Sequence, residues 1–565
     1  AARLHERWLR GRGGAQAQTM MNGGEVVVET LLSRGIDTVF FVAGGTYVTV
    51  LEALSRHQDE IRAVPTRLES SAMFAAETYA AIRRKPACVF VSRAPGASNA
   101  AIGAHTAMQA SRPMVLFIAN IPRAQKGREA FQEIDYLRMF NPIAKAVFDV
   151  ASFDELADVT ARALDLAVSG RPGPVVCAIA KDILDGKTGT PTIPDVPAPV
   201  ILGAEPQAVE TACALIRDAH HPIILAGEMI ANEGAIRELK DFAEITGAGV
   251  MAAYRHQDVF LNDHPAYFGQ LTLNRLPFQT EALDACDLVI NIGSRLDSAT
   301  TADYTLIRAD QKMIMVYPDA ATFSAWQANV ALGANVKPAL AAMNRNLKDF
   351  TPPPARLEWR NAIHAQETAY AVPGEVEVQG DVDMAEIIAA FAAMVPTDTI
   401  LSSDAGTFGR WLHRYYRCNA PYSSFGPISG AMGYGVPGAI GAAIADPSRP
   451  VFAWCGDGGF LMTGQEATTI VQEKLPVKII VCDNAAWGSI LVHQQKRFDD
   501  WDFGTRLVSP DFATLGRGYG MAAFTVSETN AFADALKGAM AHDGPALIHL
   551  KLDLRDVSPY SGSAR

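Results

Sequence analysis

Three groupings of residues in this sequence could do chemistry. In CGDGGFLMTG (455–464), Asp457 lies between Gly456 and the pair Gly458 and Gly459, directly after the apolar run VFAWC. In KIIVCDN, Asn484 closes a second apolar run. A carboxylate and an amide oxygen are hard donors suited to Mg²⁺, which takes a few protein oxygens and completes its octahedron with water and phosphate. Glycines beside them let backbone N–H groups approach a phosphate. Taken alone, a GDG after a strand is more often an ordinary turn. The third grouping is Glu69 in VPTRLESSAMFAAETYAAIRRK, where a carboxylate falls on the apolar side of a helical pattern through Ala72, Met73, Ala76 and Ala80. Thr66 and Glu69 also have the spacing of a capping box, so local sequence leaves a structural and a chemical role equally open.

These residues need elements to position them. VFAWC, the helical stretch GQEATTIVQEKL and KIIVCDN predict a right-handed strand–helix–strand crossover. Asp457 and Asn484 then both emerge at the carboxyl ends of parallel strands, where open α/β sheets bind ligands. The same alternation recurs in three blocks: DTVFFVAGG, ACVFVSRA and PMVLFIAN; HPIILAGE, DLVINIGS and KMIMVYPD; TILSSDAG, PVFAWCGD, PVKIIVCDN and PALIHLKL. It predicts an α/β protein of three doubly wound parallel-sheet domains, at 20–187, 203–350 and 375–555. The proline-rich stretches GTPTIPDVPAPV (189–200) and TPPPARLEW (351–359) read as extended linkers between them. Residues 1–19 are arginine-rich without an apolar h-region and read as a tag, extension or arm outside the fold.

Composition narrows the class. The chain has 565 residues and 49% hydrophobic content, enough for large cores. Its 49 basic and 61 acidic residues give a formal charge of −12, and no basic block marks a nucleic-acid surface. A small-molecule partner is expected. No apolar run reaches the roughly 18 residues of a membrane span. The seven cysteines are scattered and form no CxxC pair, which argues against a disulfide framework or zinc site and predicts a reducing, cytoplasmic setting. There is no GxSxG, HExxH or GxxxxGK[ST] motif.

Taken together, the groupings resemble a known family. GDG followed by Asn484 after residues 459–483 looks like the thiamine diphosphate-binding motif, with Asp483 in place of the first of its paired asparagines. Glu69 followed by AAETYA is similar to that family's glutamate setting, and SGAMGYGVPGAIGAA is similar to its GxMGxGxP-like segment. Their order along the chain is that of the acetohydroxyacid synthase, pyruvate oxidase and benzaldehyde lyase group.

The resemblance implies pyrimidine-binding, central and diphosphate-binding domains, and thiamine diphosphate and Mg²⁺ as cofactors. It implies that Asp457, Asn484 and the Ala486 carbonyl ligate the metal, and that Gly406, Thr407, Gly458 and Gly459 face the diphosphate. Gly430 would meet the ring system, and Met432 would wedge beneath the cofactor. Glu69 would hydrogen-bond the aminopyrimidine and so promote loss of the thiazolium proton. In the family this glutamate faces the metal site of a partner chain, so a homodimer or homotetramer is implied.

For the substrate, GREAFQEID looks like the acetohydroxyacid synthase segment that presents a Phe and a Gln to the active site, here Phe131 and Gln132, and Lys145 in NPIAKAV sits where that family also has a lysine. This favours a carboligase that decarboxylates a 2-keto acid. His493 stands where those synthases carry a tryptophan, and DNAAWGSILVHQQ, with Trp487, looks closer to benzaldehyde lyase. That lyase's loop histidine is matched here by Thr46, next to Gly45. His105 is a lone imidazole, equally suited to helix packing or substrate contact. A lyase or ligase of aldehydes and 2-hydroxy ketones is thus a second expectation. INIGSRLDSATT resembles the segment of a domain that binds FAD in some members and leaves an FAD-dependent oxidase open.

Overall fold

The computed structural model describes residues 20–186, 192–195, 200–272, 275–319, 322–323, 326–498 and 501–560. These residues form three six-stranded sheets. The first contains β1 (Thr38–Phe41), β2 (Arg62–Pro65), β3 (Ala87–Val91), β4 (Met114–Asn120), β5 (Ala146–Val150) and β6 (Pro174–Ala180), in the order β2-β1-β3-β4-β6-β5. The second contains β7 (Pro222–Ala226), β8 (Gly249–Ala252), β9 (Tyr267–Gln270), β10 (Leu288–Ile292), β11 (Lys312–Val316) and β12 (Val330–Leu332), in the order β12-β11-β10-β7-β8-β9. The third contains β13 (Ile400–Ser403), β14 (Ser424–Phe425), β15 (Val451–Gly456), β16 (Lys478–Asp483), β17 (Ala522–Val526) and β18 (Ala546–Lys551), in the order β14-β13-β15-β16-β18-β17. Neighbouring strands pair in parallel, as in the β15–β16 register Cys455 to Val481.

Continuous apolar strands follow from helices covering both faces of each sheet. Along β3, Cys88 and Phe90 enter one core, while Ala87, Val89 and Val91 enter another. Along β15, Phe452 and Trp454 face one core and Ala453 and Cys455 the other. One of these cores is shared by the first and third sheets, because the helices Glu69–Arg83 and Gly435–Ala445 pack against each other. Their backbones touch at Gly441: a Cβ there would lie 2.0 Å from the Ala75 carbonyl oxygen. A buried polar cluster locks the same contact. Arg112 Nε donates to Glu77 Oε1 at 3.1 Å, the Tyr434 hydroxyl donates to Glu77 Oε2, and the Thr78 and Tyr434 hydroxyls lie 2.6 Å apart.

One linker expectation needs correction. TPPPARLEW is not extended throughout: a helix runs from Pro354 to Tyr370, with Pro353 as its N-cap and Pro354 at its first position. Proline is tolerated there because that N–H has no intrahelical acceptor to satisfy. The helix is clamped to the second domain by buried Arg356, which donates to the carbonyls of Thr246 (2.6 Å) and Ile216 (3.1 Å). In the other linker, residues 192–195 have no regular secondary structure, and 189–191 and 196–199 lie outside the described residues, as do 1–19. All seven cysteines are unpaired and buried. No helix among the described residues is long and apolar enough to cross a membrane.

Candidate active site

A cavity of about 380 Å³ opens where the carboxyl ends of β13, β15 and β16 face the second domain. Asp457 lies in its wall, directly after β15, as the first residue of the helix Asp457–Thr463. The side chain is buried, with Oδ1 accepting from the Gly458 N–H (2.7 Å) and Oδ2 from the Ala486 N–H (3.2 Å). Burial, with Asp483 beside it, pushes the Asp457 carboxyl up to about 7. Asp483 shifts the other way, held down by hydrogen bonds from His549 (2.8 Å) and Ser509 (2.6 Å). A buried carboxylate so destabilised in its charged form is suited to a divalent cation.

Asn484 and Ala486 line the same cavity. Between them Ala485 adopts φ +53°, and this left-handed step folds the loop back on itself. The Ala486–Arg506 bridge and the bond from the Trp487 N–H to the Thr505 carbonyl (2.8 Å) fix it there. Two glycines make the site close-packed. A Cβ on Gly458 would lie 2.2 Å from the Trp487 ring, and one on Gly459 would lie 2.6 Å from Asp404 Oδ2.

Asp404 was not singled out by motif, although it too follows a strand, in TILSSD. Its buried carboxylate accepts from the N–H groups of Ala405 (2.7 Å), Gly433 (2.9 Å) and Tyr434 (3.3 Å). Burial raises its pKa to about 6 against these hydrogen bonds. It thereby ties the end of β13 to the segment carrying Gly430 and Met432, both of which line the cavity with Gly406 and Thr407. Trp487 and His493 complete the side formed by the helix Gly488–Arg497. Three more lining residues carried no sequence signal: Arg255 from the second domain, and Arg410 and His413 from the helix Gly409–Tyr415.

Glu69 does not line this cavity. It opens the helix Glu69–Arg83 at the carboxyl edge of the first sheet, and its Oε2 accepts from Asn99 Nδ2 at 2.9 Å. The capping box does not form. Leu68 is the N-cap and makes no side-chain cap bond, and Thr66 Oγ1 instead donates to the carbonyls of Phe41 (3.3 Å) and Leu68 (3.2 Å). The helix starts two residues later than that reading required, which leaves the Glu69 carboxylate turned toward Asn99 instead.

Thr46, beside Gly45, shares this edge, with its hydroxyl 3.1 Å from that of Ser92. His105 is exposed on the helix Ala94–Gln109. Phe131 is 80% exposed, Gln132 holds φ +67°, and neither touches the cavity. Lys145 is a structural residue. Its ammonium donates to the carbonyls of Leu166 (2.7 Å) and Arg171 (2.9 Å), and burial lowers its pKa to about 8.

The fold and cavity define an α/β enzyme that takes a diphosphate cofactor. Family models describe the same three units: thiamine pyrophosphate enzyme, N-terminal TPP binding domain over residues 21–139, central domain over 209–343, and C-terminal TPP binding domain over 404–550. The acetolactate synthase isozyme 1 large subunit of Escherichia coli is 30% identical over 555 residues, covering 96% of each chain. A probable acetolactate synthase large subunit from Methanocaldococcus jannaschii is 29% identical and covers 95% of this chain and 93% of its own. Acetolactate synthase 1, chloroplastic, from Zea mays is 28% identical, covering 94% and 85%. The chain belongs to the thiamine pyrophosphate enzymes and is an acetolactate synthase-like member of them.

Proposed function

We propose that this enzyme decarboxylates a 2-keto acid and joins the acyl fragment to a second carbonyl compound, using thiamine diphosphate and Mg²⁺. The observation that carries the reading is Asp457: a buried carboxylate pushed up to about 7, in one cavity with Asn484 and Ala486. Those three supply hard oxygen donors, so the residues fit the metal. Thiamine diphosphate, when bound, supplies the carbanion chemistry.

The chain's own residues bind and orient. Asp457, Asn484 and the Ala486 carbonyl hold Mg²⁺; Gly406, Thr407 and Gly459 bring backbone against the diphosphate. Met432 would support the ring system, its segment held by Asp404 through the Gly433 and Tyr434 N–H groups. Glu69, oriented by Asn99, exchanges a proton with the aminopyrimidine ring nitrogen. Trp487 and His493 shape the end of the cavity that receives the acceptor. Because Glu69 lies outside the cavity of its own chain, the working site is formed by two chains, and the active unit is at least a dimer.

The test is product analysis with pyruvate as the sole substrate. Release of CO₂ with formation of acetolactate is expected. Formation or cleavage of an aromatic hydroxy ketone such as benzoin, without acetolactate, would sink the reading.

A further inference from the structure

The cavity has a second, cationic pole that the metal-binding residues do not use. Arg255 is buried, and its Nη1 has no hydrogen-bond partner. Its other nitrogens reach only neutral oxygens: Nε donates to the Tyr254 hydroxyl and Nη2 to the Asp404 carbonyl, both at 3.2 Å. The residue holds φ +59°, a conformation that non-glycine residues keep where the surroundings enforce it. Arg410 also lines the cavity, its guanidinium 5.8 Å from the centre of the Tyr560 ring. It has no carboxylate partner among the described residues. The two charges act on the same neighbours. Both lower the Tyr254 pKa, and burial together with these two charges pushes His413 down to about 3, so its imidazole is neutral.

Two permanently charged guanidiniums lining one cavity are costly unless an anion joins them: neither makes a salt bridge among the described residues, and the Asp404 carboxylate feels Arg255 without pairing with it. We propose that Arg255 and Arg410 form an oxyanion-binding pole that takes the phosphoryl oxygens of the cofactor's diphosphate, so that the second domain contributes directly to cofactor binding. This rests on the thiamine diphosphate reading of the cavity. Position supports the diphosphate as the anion, because the Arg410 N–H bonds the Thr407 carbonyl at 3.0 Å, beside the residues assigned to that group. Charge supports it too. A diphosphate ester carries roughly three negative charges near neutral pH, Asp457 adds one, and Mg²⁺ offsets two, leaving about two for Arg255 and Arg410. A keto acid carboxylate shares the same chemistry, and the experiment separates the two sources.

Calorimetry on apoprotein with Mg²⁺ would compare thiamine diphosphate, inorganic pyrophosphate and unphosphorylated thiamine in wild type, Arg410→Gln, Arg255→Gln and Arg255→Lys, each checked for an unchanged melting temperature. The expected result is at least about tenfold weaker binding of thiamine diphosphate and pyrophosphate in both Gln variants, unchanged binding of thiamine, and a smaller loss in Arg255→Lys. A rise of similar size in KM for pyruvate, with cofactor affinity intact, would assign the pole to the substrate carboxylate and overturn the diphosphate assignment. If neither affinity nor KM moves in the half-exposed Arg410→Gln variant or a folded Arg255 variant, there is no such pole. Failure of wild type to bind thiamine diphosphate would instead refute the cofactor reading itself.

Discussion

The backbone N–H of Ala486 donates to Oδ2 of Asp457 at 3.2 Å, so the loops after β15 and β16 are joined at the point where the proposed metal donors converge. Replacing Asp457 with Ala removes both a donor and this tie. We expect thiamine diphosphate affinity in the presence of Mg²⁺ to fall by at least about 100-fold, and chelator treatment of wild type to reproduce the loss reversibly. Calorimetry checks both, and undiminished affinity in the variant rejects Asp457 as a ligand.

Glu69→Gln separates chemistry from folding. Because no capping box forms, stability should change by less than about 0.5 kcal/mol. Turnover should fall roughly 10²-fold or more through loss of the titratable proton. Proton exchange at the thiazolium carbon of the bound cofactor, read by NMR alongside the melting temperature, reports the two effects independently. Wild-type exchange in the variant would remove Glu69 from the mechanism. Asn99→Ala should give a smaller loss, since it only releases the Glu69 carboxylate from its 2.9 Å hydrogen bond.

Complementation tests the shared site. Co-expressed Glu69→Gln and Asp457→Ala chains, each inactive alone, should regain roughly a quarter of wild-type activity, because each mixed dimer holds one site with both residues intact. Light scattering should give a dimer or a larger even assembly. Absence of rescue in a verified mixed dimer would place both residues in one chain's site.

Gly458→Ala should drive a methyl group into the Trp487 ring, where the added Cβ would come within 2.2 Å. A destabilisation of about 1–3 kcal/mol is expected, together with weaker cofactor binding. The double variant Gly458→Ala, Trp487→Ala should recover much of the stability in denaturant unfolding. Recovery without the second change would show that the loop yields at little cost.

Glu367 predicts a pH effect remote from the cavity. It pairs with Arg417 at 3.1 Å, yet burial pushes its pKa from an ordinary 4.5 up to about 7. Below about pH 4.5 both folded and unfolded states hold the proton and the contribution is fully present; as pH rises through about 7 it is lost. Thermal unfolding across that window should show stability declining with pH in wild type and a flatter profile in Glu367→Gln. Identical profiles would mean that Arg417 keeps Glu367 charged throughout.

The sequence by itself determined the three parallel sheets, because apolar strand runs alternating with helix-length segments have few other ways to bury both faces. It also determined that Asp457 and Asn484 meet in one cavity, because they follow consecutive parallel strands and a crossover brings such ends together. The role of Glu69 was not legible there: capping box and free carboxylate share one spacing, and only the observed helix start, with Asn99 reaching across from another helix, separates them. Lys145 matched a family lysine by sequence position alone; the carbonyls of Leu166 and Arg171 that hold its ammonium come from a helix end and the turn after it, which only the fold brings near. The prolines of TPPPARLEW suggested a linker, and buried Arg356, which donates to the carbonyls of Thr246, Ile216, Arg217 and Ala219, holds the segment as a packed helix. Arg255, Arg410 and His413 come from two domains and no motif joins them; their grouping exists only because the second and third domains pack face to face. Tertiary structure decided where charges meet, because electrostatic cost depends on distance and burial in space rather than on separation along the chain.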